Sequence, residues 1–223
     1  MQTYEIPSDF ASLAASADVP VRQAHWQDAY VRHGGRHVSW FQEAPQPSLD
    51  LVTHFAGSPD AAIVDVGGGA ACLVDHLLDR GFANVTVLDL SAASLAAAKA
   101  RLGSSAAAVH WLVDDAVRWV PPQAYVVWHD RAAFHFLTEE ADRAAYLARL
   151  TQALTPGAHA VIGTFAPDGP ERCSGLPVVR YDADTLARTL GAPFVRVRTQ
   201  RHEHTTPSGA IQAFQFSVFR RVA

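Results

Sequence analysis

Cysteine is scarce in this chain of 223 residues: Cys72 and Cys173 are the only two, they stand far apart, and neither belongs to a CxxC pair. That excludes a disulfide framework and a structural zinc site, and both thiols are expected to be free and reduced. No apolar run approaches the roughly 18 residues that a membrane span needs, and the first residues lack the basic start of a secretory leader. A cytoplasmic protein without a membrane partner is expected. Blocks of like charge are missing too, with 18 Lys plus Arg against 22 Asp plus Glu and a net charge of −4. Nucleic acid is therefore not an expected partner. Lysine is nearly absent, Lys99 being the only one, which reads as composition rather than function. No linker or repeat divides the chain, and nothing in it bears on oligomeric state.

What is present is apolar surface for one substantial core, at 49% hydrophobic residues. Residues 1–60 differ in texture from the rest. A helical stretch around Gln23 to Arg32 puts Trp26 and Tyr30 four apart on one face, Gly34-Gly35 breaks it, and Trp40-Phe41-Gln42 follow. This reads as an arm or lid, ahead of a catalytic domain over 61–223 within one folding unit. From Ala61 a strand-then-helix rhythm begins: AAIVDV, NVTVLDL, AVHWLV and AYVVWHD are short apolar runs, the fourth followed by a helix expected from Arg131 onward. Strands apolar on both faces belong to a parallel sheet covered by crossover helices. AHAVIGTF is a fifth strand, and the alternating PFVRVRTQRHEHTT and AIQAFQFSVFRR form an antiparallel hairpin around Pro207-Ser208-Gly209. The fold class is α/β: a doubly wound, Rossmann-like sheet, mostly parallel, closed by an antiparallel pair.

In such a sheet the ligand lies beyond the carboxyl ends of the strands. The first strand closes as Asp65-Val66-Gly67-Gly68-Gly69, a turn that lets a ligand approach backbone N–H groups. Asp89 ends the second strand, twenty residues past Gly69, the separation at which a carboxylate reaches ribose hydroxyls. Asp114-Asp115-Ala116 follow the third, with Asp115 placed to accept from an adenine amine. A dinucleotide site wants a third glycine where this chain has Cys72, and no GK[ST] follows the turn as in a Walker site. Adenosine without phosphate, carrying a cationic centre suited to carboxylates and aromatic rings, describes S-adenosylmethionine.

IVDVGGGAA, VTVLDLS, DDA and LTPGAHAVIGTF together resemble the motif series of class I S-adenosylmethionine-dependent methyltransferases, over roughly residues 61 to 165. The usual Pro-Gly-Gly before the fifth strand is Pro156-Gly157-Ala158 here. WHDRAAFHFL is similar to the fourth-strand segment of thiopurine-type small-molecule methyltransferases and of some lysine methyltransferases, and HWQDAY…VSWFQ to their N-terminal arm. The resemblance implies a seven-stranded sheet, with Asp65, Gly67 and Gly69 at the methionine part, Asp89 at the ribose and Asp115 at the adenine, and Gly68, Leu90, Asp114 and Ala116 are expected beside them. His129 and Trp40 complete the expected cofactor contacts.

Methyl transfer from a sulfonium is an in-line displacement, so positioning and water exclusion matter most. His129, Asp130 and Arg131 close the fourth strand and are the catalytic candidates, with His135 four residues beyond Arg131 on one expected helical face. Phe41, Phe134, His135 and Cys173 are the acceptor-side candidates. His202 and His204 share a strand face without a third ligand, so no metal is expected. The expected activity is methyl transfer to a small molecule, a thiol, carboxylate or similar. Protein lysine is the alternative acceptor, and a nucleotide-sugar or nicotinamide binding oxidoreductase and a catalytically silent cofactor-binding regulator are the other classes in view.

Overall fold

The computed structural model describes residues 19–33 and 38–222; the leader reading and the Gly34-Gly35 break fall outside them. The elements run α1 (Val19–His33), α2 (Ser48–Ala56), β1 (Ile63–Val66), α3 (Leu73–Asp79), β2 (Val85–Asp89), α4 (Ala92–Leu102), β3 (Val109–Val113) and β4 (Tyr125–Arg131). They continue with α5 (Glu140–Ala153), β5 (Leu154–Phe165), β6 (Arg172–Cys173), β7 (Leu176–Pro177), α6 (Ala183–Leu190), β8 (Phe194–Thr205) and β9 (Ile211–Arg221).

Seven strands form one sheet in the order β3-β2-β1-β4-β5-β9-β8. The first five run parallel, and β9 pairs antiparallel with both β5 and β8. The apolar runs explain the layering, since β1 and β2 are buried along their whole length and need cover on both faces. Val127 and Trp128 divide between the two resulting cores. One joins Trp128 with Phe134 and Tyr146 and with Leu186 of α6. The other joins Val127 with Leu51, Val52, Leu73 and Phe165. Leu51 and Val52 belong to α2, which packs into this second core. No described helix is long and apolar enough to cross a membrane.

The helix expected from Arg131 onward is not there. Strand β4 continues through Arg131, Ala132 takes a left-handed φ of 65°, a short 3-10 turn spans 134–136, and α5 starts only at Glu140. Arg131 and His135 therefore do not share a helical face. Helix α6 was not expected, although its capping box is complete: the Asp182 side chain accepts from the Thr185 backbone and the Thr185 hydroxyl accepts from the Asp182 N–H.

Candidate functional site

Strand order reverses between β1 and β4, with β2 and β3 on one side and β4 and β5 on the other. A cleft of about 890 Å³, its open mouth included, lies at the carboxyl ends of these strands. Its floor takes Val66 and Gly67 from the end of β1, Leu88, Asp89 and Leu90 from β2, and Asp114, Asp115 and Ala116 from beyond β3. Arg131, Ala132 and Ala133 border it from β4, and Cys173 from β6. Trp26 and Tyr30 of α1, with Trp40 and Phe136, form an aromatic wall. The Trp26 ring meets Trp40 and Phe136 edge to face, with centroids 5.8 and 4.9 Å apart.

The glycine turn is sterically required. Gly67 has a φ of 69°, and a Cβ there would stand 2.7 Å from the Ala133 Cβ. At Gly69, φ 46°, it would stand 2.8 Å from both Asp89 Oδ2 and the Tyr30 hydroxyl. A side chain at either position would fill the space between the turn, Asp89 and the neighbouring strand end.

Asp89 is buried, and its Oδ1 accepts from the Ser91 N–H at 2.7 Å. Burial raises its pKa to about 6, against the hydrogen bonds from Ser91 and Ser94 and with a further push from the Asp65 charge. Asp115 is buried beside it: Oδ1 accepts from the Val117 N–H at 3.1 Å and Oδ2 from Arg22 of α1 at 2.8 Å. Arg22 also reaches Asp142 at 3.0 Å, tying α1 across the cleft to α5. Gln27 of α1 accepts from the Ser91 hydroxyl and the Ala93 N–H. Arg22, Trp26 and Tyr30 recur every fourth residue, which sets all three on the cleft face of α1.

Two of the three catalytic candidates turn away from the cleft. His129 lies opposite Asp65 in the β1–β4 register, and its Nδ1 donates to Asp65 Oδ1 at 2.6 Å. Its Nε2 lies 2.8 Å from the Ser48 hydroxyl, which donates to it in the tautomer with the proton on Nδ1. All three residues are buried. This chain of bonds fixes the Asp65 carboxylate beneath the turn, where a Cβ on Gly68 would come within 2.5 Å of Asp65 Oδ2. Asp130 has no exposed surface and accepts from the Ala133 and Phe134 N–H groups and from the Tyr146 hydroxyl at 2.7 Å. It holds the turn after β4 and points into the core.

Arg131, the third candidate, lines the cleft. Its Nη1 donates to the Trp40 carbonyl at 2.9 Å, and the guanidinium carbon stands 4.7 Å over the Phe214 ring. Its Nε and Nη2 are shielded from solvent and have no hydrogen-bond partner among the described residues. Burial lowers its pKa to about 10, with Cys173 and Asp65 opposing, so the side chain is a cation at neutral pH. Cys173 is buried and its thiol is pushed up to about 12, chiefly by burial, so it is neutral.

Of the expected cofactor contacts, Gly67, Asp89, Leu90, Asp114, Asp115, Ala116 and Trp40 line the cleft, whereas Asp65, Gly68, Gly69 and His129 lie behind its surface. Of the acceptor-side candidates, Cys173 lines it. Phe134 and His135 are wholly buried. The His135 Nδ1 accepts from the Phe165 N–H at 3.4 Å, and burial, helped by the Arg131 charge, pushes its pKa down to about 3. Phe41 opens instead onto a separate groove shared with His202 and His204. His204 donates to the Ser39 carbonyl at 2.7 Å, and among the described residues no three ligating side chains converge on a metal position. Trp26 and Tyr30, expected as part of an arm or lid, line the cleft, and so do Arg22, Phe136 and Tyr146, which were not among the site candidates.

The residues fit an adenosine-bearing cofactor: a side-chain-free turn, a buried carboxylate facing it, a second acidic pair beyond, and aromatic faces suited to a cationic sulfur. Residues 63–157 match a family model described as a methyltransferase domain. No curated protein matches the sequence. Among solved structures, one described under the conversion of a disulfide bond into a thioacetal group during echinomycin biosynthesis shares 22% identity at a TM-score of 0.71, covering 90% of this chain and 93% of that one. The 1,6-didemethyltoxoflavin-N1-methyltransferase of Burkholderia thailandensis, solved with S-adenosylhomocysteine, shares 20% identity at a TM-score of 0.66, covering 100% of this chain and 93% of that one. Magnesium protoporphyrin IX methyltransferase of Synechocystis PCC 6803, also solved with S-adenosylhomocysteine, shares 13% at 0.68, covering 91% and 99%.

Proposed function

We propose that the chain, whose residues 63–157 match a methyltransferase domain model, is a class I S-adenosylmethionine-dependent methyltransferase that methylates a small organic molecule held at the Arg131–Cys173 end of the cleft. When bound, the cofactor supplies a methyl group on a positively charged sulfur. Asp89, ionised, accepts the ribose hydroxyl protons, and the Gly67 turn admits the methionine part against backbone. Asp115 shares its carboxylate between Arg22 and the adenine amine, since each oxygen has two lone pairs. Trp26, Tyr30 and Trp40 border the sulfonium with ring faces and keep water from the transfer line. Arg131, Ala132, Phe136 and Cys173 line the side from which an acceptor approaches.

One observation carries this reading: α1 and the Trp40 segment roof a cleft that already unites Gly67, Asp89 and Asp115. A roofed cleft suits a small acceptor better than a peptide segment. Among the described residues the acceptor side of the cleft offers no free base at neutral pH, because Arg131 is a cation, Cys173 is a thiol and the carboxylates lie on the floor at the ends of β2 and β3. That favours acceptors needing no deprotonation by the protein, such as carboxylates or acidic thiols. The test is a mass-spectrometric screen of thiols, carboxylic acids, phenols and amines, with a lysine-bearing peptide alongside, each incubated with S-adenosylmethionine. A methylated small product formed together with S-adenosylhomocysteine is expected. Transfer to the lysine peptide alone would overturn the small-molecule reading.

A further inference from the structure

A turn of glycines has no side chain of its own to hold it in one conformation, so its shape is imposed by its neighbours. The Asp65–His129–Ser48 chain supports it from beneath, at Gly68. A second support comes from Arg101, in the last turn of α4, which is not among the residues lining the cleft. Its Nη1 donates to the Ala70 carbonyl and its Nη2 to the Ala71 carbonyl, both at 2.8 Å. The same guanidinium forks onto Asp75 of α3, with Nε donating to Oδ1 and Nη2 to Oδ2, both at 2.7 Å. These four bonds fix the guanidinium plane. Each carbonyl it holds fixes a peptide plane in turn, and with it the direction of the N–H on the opposite edge. Ala70 is buried, so without the guanidinium its carbonyl loses a partner that water does not readily replace.

We propose that Arg101 is a positioning residue for the methyl donor: with Asp75 it presets the turn after β1 in the shape that receives the donor's amino-acid part. The inference rests on the methyltransferase reading of the cleft and adds a residue that acts through the turn without touching the ligand. Preorganisation is the physical reason, because a turn already ordered loses little conformational entropy when a ligand settles on its backbone. The geometry also determines which part of the ligand depends on it. The residues proposed for the adenosine end are held by bonds independent of Arg101: Asp89 accepts from the Ser91 N–H, and Asp115 from the Val117 N–H and from Arg22. Ser91 caps the start of α4, and Arg101 stands at its other end. Lysine is no equivalent here, since an ammonium is a point charge and does not fork onto Asp75 while reaching two carbonyls.

Calorimetric titration with S-adenosylhomocysteine and with methylthioadenosine, which lacks the amino-acid part, tests this on wild type, Arg101→Met, Arg101→Lys and Asp75→Asn, with thermal melts to establish which variants fold. Arg101→Met keeps the aliphatic stem and is expected to bind S-adenosylhomocysteine about tenfold more weakly while holding methylthioadenosine within about twofold of wild type. Arg101→Lys and Asp75→Asn each keep part of the arrangement, so a loss of about threefold for S-adenosylhomocysteine alone is expected. An unchanged ratio of the two affinities, whether both hold or both fall together, would overturn the proposal, because a role confined to stability moves the melting transition and not the ratio. Should Arg101→Met fail to fold, the two milder variants decide by the same ratio. Failure of wild type to bind S-adenosylhomocysteine at all would overturn the methyltransferase reading, and this role with it.

Discussion

Asp89 gathers the electrostatics of the half of the cleft proposed to hold the cofactor. Burial lifts its pKa to about 6, so in the ligand-free protein its contribution to stability is complete below the ordinary carboxylate range and is lost as pH rises through 6. In the proposed site, ribose hydroxyls donate to the ionised form, which reverses the sign for binding. Affinity for methylthioadenosine, whose groups do not titrate between about pH 5 and 8, should therefore be flat above pH 7 and fall below 6, by at most about tenfold per pH unit. Asp89→Asn should flatten the profile, and calorimetry across pH reads it directly; an unchanged slope in the variant removes Asp89 from the ribose. The glycine turn and its acidic partners were legible in the sequence because their spacing is set locally, by a strand end and one crossover. The roles within His129-Asp130-Arg131 were not. Successive side chains of a strand point to opposite faces, and only the last one clears the sheet edge. The sequence does not tell where β4 stops, and the stop falls at Arg131.

At the scale of elements, α1 covers the cleft from outside both cores. It is held by polar ties, Arg22 to Asp115 and Asp142 and Gln27 to Ser91 and Ala93, together with the aromatic contacts of Trp26. Arg22 is partly exposed, so its pairs add little to global stability. They matter for the roof. Arg22→Ala is expected to speed release of S-adenosylhomocysteine by about threefold to tenfold in stopped flow, with the melting transition nearly unchanged. An unaltered release rate would mean that α1 does not gate the cleft. Trp26 and Tyr30 announced this helix through their spacing, and Arg22, one helical step earlier on the same face, carried the same signal unread. Helix α6 was missed for another reason. It is short, and its capping box, Asp182 to Thr185, is a better marker than its apolar content.

For the whole molecule, the sequence carried the fold class because β1, β2 and most of β4 are apolar enough to require two covering layers, whereas β3 is a half-exposed edge strand, and the final pair alternates as an edge hairpin does. What it did not carry is how distant segments meet. Ser48 of α2 reaches His129 of β4, and the Trp40 carbonyl receives Arg131, contacts spanning 81 and 91 residues that no local pattern encodes. They make the N-terminal segment a working part of the cleft. The central claim is that the reversal between β1 and β4 forms an S-adenosylmethionine site with Asp89 at its floor. Calorimetric binding of S-adenosylhomocysteine to wild type and to Asp89→Ala tests it most directly. Clear one-to-one binding by wild type and a loss of about 1 to 3 kcal/mol in the variant is the predicted result. Equal affinity in the two proteins, or no binding by wild type, would contradict it.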